Sequence, residues 1–201
     1  MSLPDLASHH SEQMLMRAKL GDELSFNALV GVWYKRIYNF SYKYFVDHDM
    51  ATEVSQRTFI KMYDKLSDLE DNSKFKSWLY IIALNVCREE GRKKSRVAKM
   101  FVSENDESNS PQQTEMVDSV AHTLEQAELS QIVIDSLNIL SDEQKEVILM
   151  KEYEGLKFRE IAEVLNVSEN TVKSRLYYGL GNMKKILVKN RAFNESYGYG
   201  K

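Results

Sequence analysis

A chain of 201 residues has room for one or two small domains, and 43% hydrophobic with 28% charged residues is ordinary for a globular fold. A formal net charge of -3 excludes a uniformly basic nucleic-acid coat, and the single cysteine, Cys87, excludes an internal disulfide framework. With only 2 Pro and 8 Gly, the chain favours helices over a turn-rich β fold.

The N-terminal stretch from Met1 to Ala7 lacks a basic region followed by an apolar one, so no signal peptide is expected. From about Ser11 to Arg96 the chain reads as helical throughout. Leu15, Leu20, Leu24, Phe26, Leu29, Val30, Trp33 and Ile37 recur at helical spacing, with a break and restart at Gly21-Asp22. Asp47-His48-Asp49 punctuates the chain before a helix over about Met50 to Tyr63. Leu66 to Ser73 reads as a polar, acidic loop.

A helix opening near Ser73 has the clearest pattern. Phe75, Trp78, Leu79, Ile82, Ala83 and Val86 fall at steps of three and four, which predicts one buried stripe. Lys76, Tyr80, Asn85, Arg88, Glu89 and Arg92 lie off it and predict a polar, basic face. Trp78 to Val86 is also the longest apolar stretch. It falls far short of the roughly 20 residues a membrane span needs, so a soluble, cytoplasmic protein is expected. Cys87 continues this helix and reads as a core thiol.

Val97 to about His122 is acidic and poor in bulky apolar groups, with Glu104, Asp106, Glu107, Glu115 and Asp118, and reads as a flexible linker. Fully extended, roughly 25 residues at about 3.4 Å each reach on the order of 85 Å, so the flanking domains can sit far apart. The second domain runs from about Leu124 to Leu187. Leu129, Ile132, Val133, Leu137 and Leu140 outline its first helix. Ser141-Asp142-Glu143-Gln144 predicts a capping box, and Glu154-Gly155 ends the next helix.

Phe158 to Leu176 has the pattern of a helix-turn-helix. Phe158, Ile161, Ala162 and Leu165 make the inner stripe of its first helix, Asn166-Val167-Ser168 the turn, and Ser168 the N-cap of the second. Val172, Leu176, Leu180 and Met183 are expected to face inward. Asn170, Lys173, Ser174 and Tyr177 face outward near the helix N-terminus, the end that enters the major groove in such readers. Thr171 and Arg175 are placed to hold backbone phosphates. With the basic run Arg92 to Arg96 upstream, the chain points to DNA contact at two places.

The order of these motifs resembles the small two-domain bacterial sigma factors of the extracytoplasmic-function group. Ala51 to Phe59 looks like the family's Ala-Glu-Asp-Leu-x-Gln-Glu-x-Phe helix. Trp78-Leu79, Ile82-Ala83, Asn85 and Arg92 match its next helix, and Glu160 to Ala162 with Thr171 to Arg175 match its region four. The resemblance implies an all-α fold: a region-two domain over 11–96, a flexible acidic linker over 97–123, a region-four helix-turn-helix domain over 124–187, and a tail over 188–201. It implies that Glu53, Gln56, Arg57 and Phe59 dock on core RNA polymerase. Lys76, Asn85, Arg88 and Arg92 would meet the minus-ten element, and Asn170, Thr171, Lys173, Ser174, Arg175 and Tyr177 the minus-thirty-five element. It implies promoter DNA and core polymerase as partners, an anti-sigma protein as inhibitor, and a monomer when free.

This chain departs from the family at Arg57, where an acid is usual, and at Tyr178-Gly179-Leu180, where a basic run is common. Gly179 and Gly181 are each expected to weaken their helix by about 1 kcal/mol relative to Ala. The competing reading is a free-standing helix-turn-helix regulator, which leaves Ala51 to Phe59 and Trp78 to Arg96 unexplained. Enzyme chemistry is not expected. No phosphate loop, zinc-protease pattern or cysteine pair occurs, and His9, His10, His48 and His122 lie in terminal, turn or linker contexts. No metal or cofactor is anticipated.

Overall fold

Every regular element among the described residues is helical. The computed structural model describes residues 12–101, 121–190 and 193. The acidic stretch over 102–120, the His9-His10 pair and most of the C-terminal tail lie outside these residues.

The first unit holds α1 (residues 12–19), α2 (Glu23–Phe45), α3 (His48–Lys65) and the long α4 (Phe75–Phe101). Val46 takes a left-handed conformation at φ 52° and stops α2. Asp47 then caps α3 by accepting from the Met50 N–H at 3.0 Å. This sharp corner folds α2 and α3 against each other, and α4 closes the bundle. Leu29, Ile37, Phe40, Val54, Met62, Leu79, Ala83 and Val86 fill its core. The stretch 66–74 is more structured than a plain loop, with short 3-10 turns at Leu66–Asp68 and Asn72–Lys74.

The second unit holds α5 (Ala121–Asn138), α6 (Asp142–Ile148), α7 (Phe158–Leu165) and α8 (Glu169–Leu187). A wider π turn, Leu149–Tyr153, extends α6, and Gly155 at φ +64° redirects the chain toward α7. Leu137, Val147, Ile148, Leu156, Ile161, Val172 and Leu176 form the core here.

Five sequence expectations are corrected. Leu20 and Leu24 are 88% and 81% exposed, because the break at Gly21-Asp22 resets the helical phase. Tyr80 is fully buried: its ring packs edge-on against Phe40 and Trp33 of α2, and its hydroxyl reaches Glu154 of the second unit. α4 runs past Arg96 to Phe101. The Ser141 capping box does not form: the Ser141 hydroxyl makes no cap bond, and Gln144 Oε1 accepts from Asn182 Nδ2 of α8 at 3.3 Å. Leu180 is 38% exposed, while Gly179 takes the buried position.

Gly179 is required by packing. A Cβ there would lie 2.9 Å from Ile148 Cδ1 and 3.2 Å from Gln144 Cβ, so α6 and α8 approach too closely for a side chain. Gly181 faces open space, so there no close packing offsets the helix penalty.

Candidate polymerase and nucleic-acid interfaces

On α3, Glu53 and Gln56 are exposed, and Ile60 and Tyr63 are each 62% exposed. Steps of three, four and three put all four on one outward face. Phe59 is turned inward at 7% exposure and stacks on Tyr34 with ring centroids 6.1 Å apart. Arg57 is also committed within the unit. Its guanidinium donates to Glu89 at 2.9 Å and pairs with Glu90, while Lys61 Nζ reaches both Glu89 oxygens at 2.9 and 3.0 Å. The Lys61 hydrogen bond, with help from Arg57, holds the Glu89 carboxyl below its ordinary pKa. The acid absent from position 57 is thus supplied in reverse: Arg57 clasps α3 to acids on α4. Ile60 and Tyr63 were missed in the sequence, although their spacing from Gln56 carried the signal.

On α4, Asn85, Arg88 and Arg92 share one side at steps of three and four. They line a cleft of 330 Å³ with Lys61, Lys65, Ile82 and Glu89. Asn85 and Arg92 are exposed. Lys76 lies nine residues from Asn85, half a turn out of phase on a 3.6-residue helix, and faces the second unit instead. Three of the four candidate minus-ten residues therefore converge and the fourth does not.

The helix-turn-helix forms as its pattern predicts. Glu160 accepts from the Lys157 N–H at 2.6 Å and caps α7. Asn166 turns the chain at φ 54°, and the Val167 N–H donates to Ala162 O at 3.1 Å. Ser168 Oγ then accepts from the Thr171 N–H at 3.1 Å and contacts Thr171 Oγ1 at 2.9 Å, so the Thr171 hydroxyl is engaged in the cap. Asn170, Ser174 and Tyr177 are exposed along one face of α8, and Tyr178 beside them is 72% exposed. The Lys173 ammonium lies over the Phe158 ring, 5.6 Å from its centroid, and Arg175 is half-buried.

The two units meet through apolar packing, their buried side chains forming one continuous cluster, and through polar contacts. Arg88 Nε and Nη2 donate to the two oxygens of Glu146 at 2.8 and 2.6 Å, and Glu146 is 1% exposed as a residue. Lys145 Nζ donates to Tyr44 O at 3.3 Å and lies over the Tyr44 ring. The Tyr80 hydroxyl donates to the Glu154 carboxylate, and Lys76 Nζ donates to the Glu154 carbonyl oxygen. Lys74 pairs with Glu163 at 3.3 Å. Burial pushes the Glu154 carboxyl above its ordinary pKa and pushes Lys43, Lys76 and Lys145 below theirs. The Glu146 carboxylate holds Arg88 even more firmly protonated. Cys87 is fully buried, and burial raises its thiol, which makes it a poor nucleophile.

Two helical units, one with a basic cleft and one with a formed helix-turn-helix, define the class of helix-turn-helix DNA-binding proteins. The family model for Sigma-70 region 2 matches residues 29–97, and that for Sigma-70 region 4 matches residues 130–183. The ECF RNA polymerase sigma-E factor of Haemophilus influenzae is 30% identical over 179 residues, covering 86% of this chain and 93% of the relative. The ECF RNA polymerase sigma factor SigW of Bacillus subtilis is 27% identical, covering 88% and 96%. Two solved structures share the fold. CnrH in complex with the cytosolic domain of CnrY has a TM-score of 0.66 at 20% identity, covering 90% of this chain and 98% of that one. The sigma factor RpoE of Bartonella quintana, in complex with the anti-sigma factor NepR, has a TM-score of 0.64 at 24% identity, covering 83% and 98%.

The chain belongs to the extracytoplasmic-function RNA polymerase sigma factors. It is a subunit that binds core RNA polymerase and directs transcription initiation at promoters. No helix among the described residues is long and apolar enough to cross a membrane.

Proposed function

We propose that the first unit, over 11–96, docks on core polymerase and opens the minus-ten element, and that the second, over 124–187, reads the minus-thirty-five element. The observation that supports this division best is the convergence of Asn85, Arg88 and Arg92 on one cleft of α4, with Asn170, Ser174 and Tyr177 on the outer face of a capped recognition helix. An exposed asparagine within a basic cleft suits an unpaired base: the amide reads its edge while Arg88 and Arg92 neutralise the flanking phosphates. Lys173, Ser174 and Tyr177 supply donors at the groove end of α8, with Asn170 beside them and Thr171 and Arg175 nearer the backbone.

Glu53, Gln56, Ile60 and Tyr63 form the polymerase-docking face, with Arg57 and Phe59 supporting it from beneath. Strand opening is driven by binding energy, without chemistry at the chain itself, and takes place where the polymerase works, in the cytoplasm. An anti-sigma protein is the expected inhibitor. The acidic segment between α4 and α5 spans the gap between the two promoter elements on the enzyme.

Transcription by sigma-free core polymerase on fragmented genomic DNA, with RNA 5′ ends mapped, tests this reading. New start sites sharing two upstream elements are expected with the chain and absent without it. Start sites sharing only one element, or none, would overturn the assignment of the two units.

A further inference from the structure

Arg88 is claimed twice. In the reading above its guanidinium meets promoter phosphate. In the folded chain its Nε and Nη2 are both taken by the Glu146 carboxylate. A planar guanidinium offers that fork to a carboxylate or a phosphate with the same geometry, and to only one of them at a time. Lys76 is held likewise, by the Glu154 carbonyl, while the Glu154 carboxylate takes the Tyr80 hydroxyl.

Glu146 and Glu154 bracket the π turn, Leu149–Tyr153, and Lys43 lies over Tyr153 within the same contact. One short segment of the second unit thus covers cationic groups on both α2 and α4.

We propose that the segment from Glu146 to Glu154 is an internal substitute for promoter backbone, which docks on α4 and withholds Arg88 and Lys76 from DNA until the two units separate. This rests on the assignment of those residues to the minus-ten element.

The junction combines apolar packing with buried charge: buried side chains of both units form one continuous cluster. It buries Lys145 at 7% exposure with no carboxylate in ion-pair reach among the described residues, and satisfies it through Tyr44 O, Asn138 Oδ1 and the Tyr44 ring. Burial disfavours the charged forms of Lys43, Lys76, Lys145 and Glu154, so solvation of these groups opposes docking and the carboxylate contacts offset it. Nineteen residues separate Phe101 from Ala121. Extended, they reach roughly 65 Å, so the units can part without unfolding either one.

The test uses the full-length chain and the variant Glu146→Gln, a position outside the proposed DNA and polymerase contacts. Small-angle scattering reports the radius of gyration, and fluorescence anisotropy reports affinity for a labelled minus-ten single strand taken from a mapped promoter. The variant should be larger and bind the strand about tenfold more tightly, because docking competes less with the open, binding-competent state. Retained helix content and cooperative melting show that it folds, and Glu154→Gln, which leaves the backbone carbonyl on Lys76 in place, should not enlarge the chain. Equal size and equal affinity would overturn the proposal, and so would a larger chain with unchanged affinity. Failure of the sigma reading itself shows separately, as absence of promoter-dependent starts with both wild type and variant.

Discussion

Gly179 and Gly181 lie two positions apart on α8 and respond oppositely to a methyl group. Gly179→Ala should destabilise the chain by about 1–3 kcal/mol, through collision with Ile148 and Gln144 of α6. Gly181→Ala should stabilise it by about 0.5–1 kcal/mol, since nothing lies within 4 Å of the added Cβ. Denaturant unfolding of the two variants measures both. The pair also marks a limit of sequence reasoning. The helix penalty of glycine is local and was visible, whereas the close approach of α6 is tertiary and left no trace in the spacing. Arg57 is a similar case. It stood out as a departure, but its partners Glu89 and Glu90 lie more than thirty residues away and nothing local names them. Because the folded state lowers the Glu89 pKa, its contribution is present above the ordinary value of 4.5 and is lost as pH falls through the lowered one. Glu89→Gln should therefore flatten the acid-side loss of stability below pH 4.5, as read by urea midpoints across that range.

Capping and packing decide how each helix presents its face. The recognition helix α8 was legible from sequence because its signals are local: Ser168 as cap, Val172, Leu176 and Met183 as inner stripe, and the short turn before it. Ser168→Ala should cost about 1 kcal/mol in thermal unfolding, by leaving the Thr171 N–H without its acceptor. The expected box at Ser141 failed because Gln144 found a better partner on α8, which its local pattern could not reveal. On α3 the surface is the more telling side. Glu53, Gln56, Ile60 and Tyr63 form a mixed polar and apolar face, and exposed apolar side chains within such a face fit a docking partner. Ile60→Asp should lower affinity for core polymerase by more than about tenfold while leaving the melting temperature unchanged, as measured by fluorescence titration beside calorimetry.

At the scale of the whole molecule, α4 is a helix with two covered sides. Periodicity revealed the stripe facing the first unit, but Tyr80 lay outside it, and its burial between Trp33 and Phe40 of α2 and Glu154 of the second unit left no trace in the spacing. The docking of one unit on the other combines apolar packing with single polar contacts, and the polar contacts have no periodic signature. Those contacts make closure sensitive to pH. Burial raises the Glu154 pKa in the docked state and outweighs Tyr80, Lys43, Lys76 and Arg36, which pull it down. Its contribution to closure is therefore complete below 4.5 and is lost as pH rises through the raised value. The lowered pKa values of Lys43, Lys76 and Lys145 act in the opposite sense and only at alkaline pH, as those ammonium groups approach deprotonation. The scattering radius of the free chain should increase from pH 5 to pH 8, and Glu154→Gln should abolish that increase.

A sigma factor that closes on itself when free must open on its enzyme, and the distance between its units reports this directly. Ser67→Cys and Lys185→Cys place one dye on each unit at exposed positions, while the buried Cys87 stays unlabelled. Energy transfer should be high in the free chain and fall sharply when core polymerase is added, under conditions where promoter-dependent transcription begins. Transfer that stays high on an enzyme already initiating at promoters would contradict it.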